Sequence, residues 1–339
     1  MKMNDINILK AALASPKKIT IVPHKNPDGD AIGSTLGLCH YLRNSGHKAT
    51  VIAPNDYPEF LKWIPGENTI VKFDTQKTEA KQLLNESDFV FTLDFNVLDR
   101  IESMKPTLQS LRATFVMIDH HQQPADYAKF MYSDTSMSST CEMVYHFLGQ
   151  LGELDKITPT IANCLYTGIM TDTGSFRFPT TTSTTHNVVA DLINRGAQNA
   201  KIHNAVYDSS SISRLRLLGI ALNNMVVLDS LNTVFITLTQ KELDTNNFKK
   251  GDTEGFVNYG LSLKGIVFSV IFIENGAEDY IKISFRSKGA FDVNEFARAH
   301  FNGGGHINAA GGRSDLPMEE TTARFRQIVG SYQSKLVQP

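Results

Sequence analysis

Metal-binding side-chain types cluster near the N-terminus, in the sequence HKNPDGDAIGS. His24, Asp28 and Asp30 fall within seven residues, and Pro27 and Gly29 allow the backbone between them to turn. An imidazole and two carboxylates that face one point can bind a divalent cation. The competing interpretation is a solvated turn in which Asp30 only caps the following helix. Taken alone, the motif leaves both interpretations open.

Further acidic and imidazole side chains end later segments of the chain. Asp94 ends one apolar run, the triplet Asp119, His120 and His121 ends another, and Asp172 follows an apolar helix. Carboxylates gathered in one crevice repel each other unless cations are bound. Carboxylate oxygens with some imidazole and no thiolate favour Mn²⁺ or Mg²⁺ over structural zinc. The number of candidate ligands makes two metals a better expectation than one.

Buried parallel strands are the elements that would position these residues. Short apolar runs over 19–23, 49–53, 88–94 and 113–119 are typical of strands covered on both faces. Helices are predicted after the first strand, from Asp30, and over 139–151, 159–171 and 185–195. Because ligands bind beyond the carboxyl ends of such strands, the polar residues that follow them should converge in one crevice.

A different pattern follows in the second half. Strands are predicted over 226–228, 234–238, 266–273 and 280–286, with helices near 253–261 and 292–300, which together describe a smaller α+β domain. The predicted organisation is therefore a first domain over 1–195, a helical linker over 196–225 and a second domain over 226–339. At about 100 to 200 residues per domain, 339 residues fit two.

Composition excludes several classes of protein. A net charge of -2 argues against a chain that coats long nucleic acid, although short anionic ligands remain possible. Cys39, Cys141 and Cys164 are far apart in apolar segments, so we expect buried free thiols and no disulfide framework. No signal-peptide core and no apolar run of membrane-spanning length is present, which favours a cytoplasmic protein without a membrane partner.

The ordered motifs resemble those of the DHH phosphoesterase superfamily, which is named after the Asp-His-His triplet. The sequences SFRSK over 284–288 and GGGHINAAGG over 303–312 resemble the DHHA1 domain found beside it. This resemblance implies an α/β fold: a parallel-sheet DHH domain with helices on both faces, linked to a smaller α+β DHHA1 domain, with the active site in the cleft between them. The short form resembles the nanoRNase and pAp phosphatase group, also labelled exopolyphosphatase-related.

The resemblance also implies roles for the residues of the first half. One metal would be held by His24, Asp28 and Asp94, and the other by Asp30, Asp94, His120 and Asp172. Asp94 would then bridge the two metals, for which the resemblance favours Mn²⁺, with Mg²⁺ as the alternative. His121 would contact the scissile phosphate or protonate the leaving oxygen, and Asp119 would orient an imidazole.

The resemblance assigns substrate binding to the second, DHHA1-like half of the chain. The candidate residues are Arg286, Ser287, Gly303, Gly304, Gly305 and His306. Consecutive glycines let the backbone approach a ligand and point N–H groups at an anion, and an arginine can hold a phosphate with two parallel hydrogen bonds. The competing interpretation is a glycine-rich turn required only for packing.

The function implied is hydrolysis of very short oligoribonucleotides or linear dinucleotides to mononucleotides, removal of the 3′-phosphate of pAp, or both. The expected partners are short RNA or nucleotides, with no long duplex, and a homodimer is possible by family. Three alternatives remain: a polyphosphate or pyrophosphate hydrolase, a cyclic-dinucleotide phosphodiesterase, and a nucleotide sensor without activity. The DHHA1-like half counts against the first, and a complete set of metal ligands counts against the last.

Overall fold

The computed structural model describes residues 3–249, 251–276 and 278–337. The chain forms two compact units, Met1–Ser209 and Ser210–Pro339. This division lies inside the segment 196–225 that the sequence assigns to a helical linker, and each unit takes one helix of that segment. Among the described residues, no helix has both the length and the apolar character needed to span a membrane.

The first unit is built on a six-stranded parallel sheet. Its strands are β1 (Lys18–Val22), β2 (Lys48–Ala53), β3 (Val71–Lys72), β4 (Phe89–Leu93), β5 (Thr114–Asp119) and β6 (Phe130–Ser133). They run in the order β3-β2-β1-β4-β5-β6. The four predicted strands form the inner part of the sheet, and the short outer strands β3 and β6 were not predicted from the sequence.

Helices cover both faces of this sheet, as predicted. They are α1 (Met3–Ala12), α2 (Gly29–Asn44), α3 (Lys77–Asn85), α4 (Lys105–Gln109), α5 (Thr140–Leu151), α6 (Pro159–Asp172), α7 (Ser183–Asn194) and α8 (Asn199–Tyr207). Short 3-10 helices lie at Glu59–Leu61, Glu67–Thr69, Leu98–Met104 and Leu154–Lys156. Along β4, Phe91 packs with α2, α5 and α6, whereas its neighbour Val90 packs with α3 and α4 on the opposite face. This alternation explains why the strand is apolar throughout.

Glycines bring α2 and α6 unusually close together. A Cβ at Gly33 would lie 2.5 Å from the Cys164 carbonyl oxygen, and a Cβ at Gly168 would lie 2.7 Å from the Asp30 carboxylate. Neither position has room for a side chain. Close packing of these two helices therefore places Asp30, on α2, beside the end of α6.

The second unit is a six-stranded mixed sheet with helices. Its strands are β7 (Val226–Leu228), β8 (Thr233–Leu238), β9 (Phe268–Asn275), β10 (Tyr280–Ser287), β11 (Gly304–His306) and β12 (Ala309–Ser314), in the order β11-β12-β10-β9-β8-β7. Its helices are α9 (Ile212–Asn223), α10 (Gln240–Thr245), α11 (Phe256–Leu261), α12 (Val293–His300), α13 (Met318–Gly330) and α14 (Gln333–Leu336), with a 3-10 helix at Asp229–Leu231. Only β8 and β9 pair in parallel. The predicted two-domain α/β architecture is confirmed.

The two faces of this sheet carry separate cores. One face packs a phenylalanine cluster that includes Phe268 and Phe285 against α12 and α13. The other face is covered over β8 and β9, where Ile236 and Ile271 pack against α9, α10 and α11.

Candidate metal centre

The carboxyl ends of three neighbouring strands bring the predicted residues of the first unit together. His24 follows β1, Asp94 follows β4, and Asp119 is the last residue of β5. The helices that leave the same edge add the remaining carboxylates, Asp28 and Asp30 at the start of α2 and Asp172 at the end of α6. Asp28, rather than Asp30, is the N-cap of α2, because its Oδ1 accepts the backbone N–H groups of Asp30 and Ala31.

Two groups of potential ligand atoms form at this edge. The first joins His24, Asp28 and Asp94, with His24 Nε2 3.8 Å from Asp28 Oδ2 and 3.5 Å from Asp94 Oδ2. In the second, His120 Nε2 lies 3.9 Å from Asp30 Oδ2 and 3.6 Å from Asp172 Oδ2.

Asp94 belongs to the first group and also faces the second. Its Oδ2 faces His24, and its Oδ1 lies 3.5 Å from His120 Nε2. The residue is buried and adopts a left-handed backbone conformation, with φ of +66°. Such a conformation in a non-glycine residue is uncommon, and it recurs at functional sites where surrounding structure holds it in place. The two oxygens of one carboxylate therefore point into two adjacent ligand groups.

Backbone carbonyls orient both imidazoles. His24 Nδ1 is 2.8 Å from the Lys25 carbonyl oxygen, and His120 Nδ1 is 3.2 Å from the Met137 carbonyl oxygen. A proton on Nδ1 that is donated to a carbonyl leaves the lone pair on Nε2, the atom that faces the carboxylates. This is the tautomer that a metal ligand requires.

The clustered carboxylates shift the pKa values of the histidines and aspartates at this centre. Burial disfavours charge on His24 and His120, but their interactions with Asp94 outweigh it and raise both pKa values, that of His120 well above the usual range. Burial also opposes ionisation of Asp94, yet the two imidazoles hold its pKa well below the usual range. Burial and the nearby carboxylates of Asp94 and Asp172 raise the pKa of Asp30 well above the usual range. Cations would displace protons held in this way.

The geometry fits divalent cations. Ligand atoms bound to one cation at about 2.1 Å are roughly 3 to 4 Å apart. The distances of 3.5 to 3.9 Å within the two groups fall in this range and exceed those of ordinary nitrogen–oxygen hydrogen bonds. Oxygen donors with one imidazole in each group match the preference of Mg²⁺ and Mn²⁺. The residues present fit a divalent-metal centre.

The first residues of α5 complete the centre, and this contact was not predicted from the sequence. Asp30 accepts the backbone N–H groups of Thr140 and Cys141 at 2.6 and 2.8 Å, and the Thr140 hydroxyl donates to Asp94 Oδ1 at 2.9 Å. Ser139 caps this helix by accepting the Glu142 N–H. The run of serines and threonines before an apolar helix was a signal of that cap. This signal does not indicate that the start of α5 faces Asp30 and Asp94.

We expect Thr140→Val to reduce divalent-cation affinity and kcat each by about tenfold or more, as losses of hydrogen bonds to metal ligands do. The substitution keeps the shape of the side chain and removes the hydroxyl that donates to Asp94 Oδ1. Calorimetric titration with Mn²⁺ and a steady-state assay measure the two effects. Thr167→Val is the matched control, since that buried hydroxyl donates to the Asn163 carbonyl within its own helix. Equal effects of both substitutions would contradict a specific role for Thr140.

Asp119 and His121 form a hydrogen-bonded pair beside the ligand groups. His121 Nδ1 is 2.7 Å from Asp119 Oδ1, and the His121 backbone N–H donates to Asp119 Oδ2 at 3.2 Å. Burial lowers the pKa of His121, although the charges of Asp119 and Asp94 oppose this. With Nδ1 engaged by Asp119, Nε2 is the ring nitrogen that the pair can present to a substrate.

The predicted substrate residues of the second unit lie on and around β10 and the β11–β12 hairpin. Arg286 lies on β10 opposite Ala309, and His306 ends β11. Ser287 is buried, and its hydroxyl donates to the Phe291 carbonyl and accepts from the Asn308 amide. Its hydroxyl therefore holds the end of β10 to the hairpin tip.

The structure corrects the reason given for the glycines. The segment predicted to be an anion-binding loop is strand β11 and its approach, and the N–H groups of Gly303 and Gly305 donate to the Ala297 carbonyl and to Asn294 Oδ1. A Cβ at Gly303 would collide with the Gly311 carbonyl, and one at Gly305 would lie 2.7 Å from the Ala310 Cα. Packing explains these two glycines. Gly304 is different, because a Cβ there would meet only ordinary contacts at 3.5 Å and beyond.

Comparison with known proteins identifies the family. The family model described as "DHH family, N-terminal domain" matches residues 18–169, and the DHHA1 domain model matches residues 233–335. The chain belongs to the DHH family of phosphoesterases, in the form that carries a DHHA1 domain, and it is a hydrolase of phosphate esters. The resemblance inferred from the motifs is thus confirmed.

Two proteins and one crystal structure are similar to this chain over most of its length. The chain is 30% identical to the bifunctional oligoribonuclease and PAP phosphatase NrnA of Thermus thermophilus over 312 residues, 92% of this chain and 89% of that protein. It is 29% identical to the Bacillus subtilis protein of the same name over 295 residues, 86% of this chain and 88% of that protein. A crystal structure of an exopolyphosphatase-related protein from Bacteroides fragilis is 39% identical, with a TM-score of 0.95, and the match covers 99% of this chain and 98% of that one.

Proposed function

We propose that this protein is a Mn²⁺-dependent phosphoesterase that hydrolyses very short oligoribonucleotides to mononucleotides and removes the 3′-phosphate of pAp. The observation that carries the proposal is the shared carboxylate of Asp94, which points one oxygen at each of two ligand groups 3.5 Å away. The names of the two relatives described above supply the substrate class.

In this proposal, different residues of the first unit bind the two cations and orient the ligands. His24, Asp28 and Asp94 hold one cation, and Asp30, Asp94, His120 and Asp172 hold the other. Two bound divalent cations supply activation of water and neutralisation of phosphoryl charge during in-line attack. Thr140 and the N-terminal amides of α5 fix the orientation of the carboxylates.

His121 and the second unit act on the substrate rather than on the cations. His121, oriented by Asp119, places Nε2 to carry a proton for the leaving oxygen. Arg286 and His306 bind a terminal phosphate or nucleotide, with Ser287 and the Gly303–Gly305 backbone holding these two residues in place. We further propose a cytoplasmic protein with a first domain over 1–195, a helical connection over 196–225 and a second domain over 226–339.

A four-substrate assay with Mn²⁺ tests the proposal. We expect rapid release of AMP from 5′-pApA and pAp, and hydrolysis of a 24-nucleotide RNA and of tripolyphosphate that is slower by about 100-fold or more, a difference that loss of one well-made substrate contact can produce. Replacing Mn²⁺ by Mg²⁺ in parallel reactions ranks the two metals.

Each other outcome selects a different function. Consumption of tripolyphosphate alone would identify a polyphosphate hydrolase, in keeping with the description of the Bacteroides fragilis structure. Turnover of a cyclic dinucleotide, with none of pApA or pAp, would identify a cyclic-dinucleotide phosphodiesterase. Binding of pAp without any turnover would replace the enzyme by a sensor.

A further inference from the structure

One half of the second sheet has a face that no helix core covers. Along β10, Ile283 and Phe285 point into the phenylalanine core, so Lys282 and Ser284 alternate to the opposite face. On β9 that opposite face is buried beneath α10 and α11, but Lys282 and its cross-strand neighbour on β12 are exposed. The helices that cover β9 on this face therefore leave Lys282 of β10 exposed.

The exposed half carries two like charges directly opposite each other. In the antiparallel register of β10 and β12, Lys282 pairs with Arg313, and Ser284 pairs with Gly311. Like charges directly opposite each other in a sheet are destabilising. Arg313 Nη2 lies 3.6 Å from Asp315 Oδ1, but both side chains are more than half exposed and solvent weakens the pair. Lys282 has no salt bridge within the part of the chain that the structure describes.

Gly311, between these cations and Arg286, has no packing reason to be glycine. A Cβ there would meet only the Ile283 carbonyl oxygen, at 3.8 Å, and its backbone lies outside the left-handed region. This contrasts with Gly312, where a Cβ would lie 2.9 Å from the Phe301 carbonyl oxygen. A glycine that the fold does not require leaves the sheet surface flat, which allows a ligand to approach the backbone.

An aromatic ring lies at the far end of the same face. Tyr280 is two residues before Lys282 on β10, and its ring centre is 5.9 Å from the Arg313 guanidinium carbon. A cation pair beside an aromatic ring is the combination that single-stranded nucleic acids use, with phosphate on the cations and a base on the ring.

We propose that Lys282 and Arg313 form a second phosphate site for the downstream part of an oligonucleotide, on the β10–β12 face. Four residues of strand separate Lys282 from Arg286, a distance of about 13 Å at 3.3 Å per residue. A mononucleotide such as pAp held at Arg286 does not extend that far, whereas an oligonucleotide of several residues does. The inference rests on the proposed function and adds to it a tolerance for substrates longer than a dinucleotide.

The test compares Lys282→Ala/Arg313→Ala with the wild-type protein on pAp and on a 5′-phosphorylated RNA pentamer. We expect the KM for the pentamer to rise about tenfold, and the slope of log(kcat/KM) against log[salt] to become shallower by about 0.7, the contribution of one phosphate contact on a single strand. Kinetics on pAp should stay within twofold of the wild-type values.

A charge-matched control makes the outcome decisive. Lys241→Ala/Lys264→Ala removes two other exposed cations of the same unit and should leave both substrates unaffected. The second phosphate site is overturned if the pentamer KM is unchanged in the first variant, or if the control raises it equally. If the wild-type protein does not hydrolyse pAp at all, the proposed function fails instead, and the two failures are distinguished.

Discussion

Asp94→Asn is expected to lower kcat/KM for pAp by about 10³-fold or more, because one substitution removes a charged ligand from both metal groups. A bound cation contributes several kcal/mol of transition-state stabilisation, and each 1.36 kcal/mol is tenfold in rate. Asparagine is chosen over alanine because it tolerates the left-handed backbone that Asp94 adopts, so that loss of charge is separated from backbone strain. Calorimetry with Mn²⁺ should show fewer than two bound cations per chain.

Asp74→Asn is the control for this substitution. Asp74 is exposed and lies in the same unit, so the same change of charge should leave activity and cation binding at wild-type levels. An Asp94→Asn protein that still binds two cations and keeps a tenth of its activity would show that Asp94 is not the shared ligand.

The position of the centre was predictable because of how parallel sheets are built. Apolar runs that end at Asp94 and Asp119 mark strands buried on both faces, and the carboxyl ends of such strands lie along one edge. The positions of Asp94 and Asp119 at the ends of these strands were therefore enough to predict that their side chains lie close together. The same reasoning placed His24, which follows the first strand, beside them.

The residues missed by sequence analysis depend on contacts between distant segments. Thr140 contacts Asp94 across 46 positions of sequence, and nothing local distinguishes it from the serines before it. The close approach of α2 and α6 through Gly33 and Gly168 is likewise visible only when both helices are placed. The left-handed conformation of Asp94 is more frequent in Asp and Asn than in most other residues, but most aspartates do not adopt it, so the residue type alone does not predict it.

The glycine segment was expected to be a loop because glycine has low strand propensity, and the structure has strand β11 there. A run of three glycines is typical of a loop. Here the chain pairs as a strand, Gly304 with Gly311 and His306 with Ala309, and a Cβ at Gly303 or Gly305 would collide with β12. Tight packing and ligand approach require the same residue type, so the sequence alone could not separate them.

Replacing His121 with asparagine is expected to slow release of AMP from pApA by about 10²-fold or more, the usual loss when a proton-transfer group is removed. A p-nitrophenyl ester of a nucleotide should lose only a few fold, because its leaving oxygen departs without a proton. The structure supports this difference through Asp119, which engages Nδ1 at 2.7 Å and so assigns proton transfer to Nε2. Parallel steady-state assays on the two substrates measure it.

His47→Asn supplies the matched control for the His121 substitution. His47 is also buried, and its Nδ1 accepts the Lys17 N–H at 3.2 Å, so its loss should affect thermal stability and neither substrate selectively. Asp119→Asn should reproduce the selectivity of His121→Asn at about tenfold, as expected for a residue that orients another. If His121→Asn slows both substrates equally, the imidazole instead contacts the scissile phosphate, since that contact is needed whatever oxygen leaves.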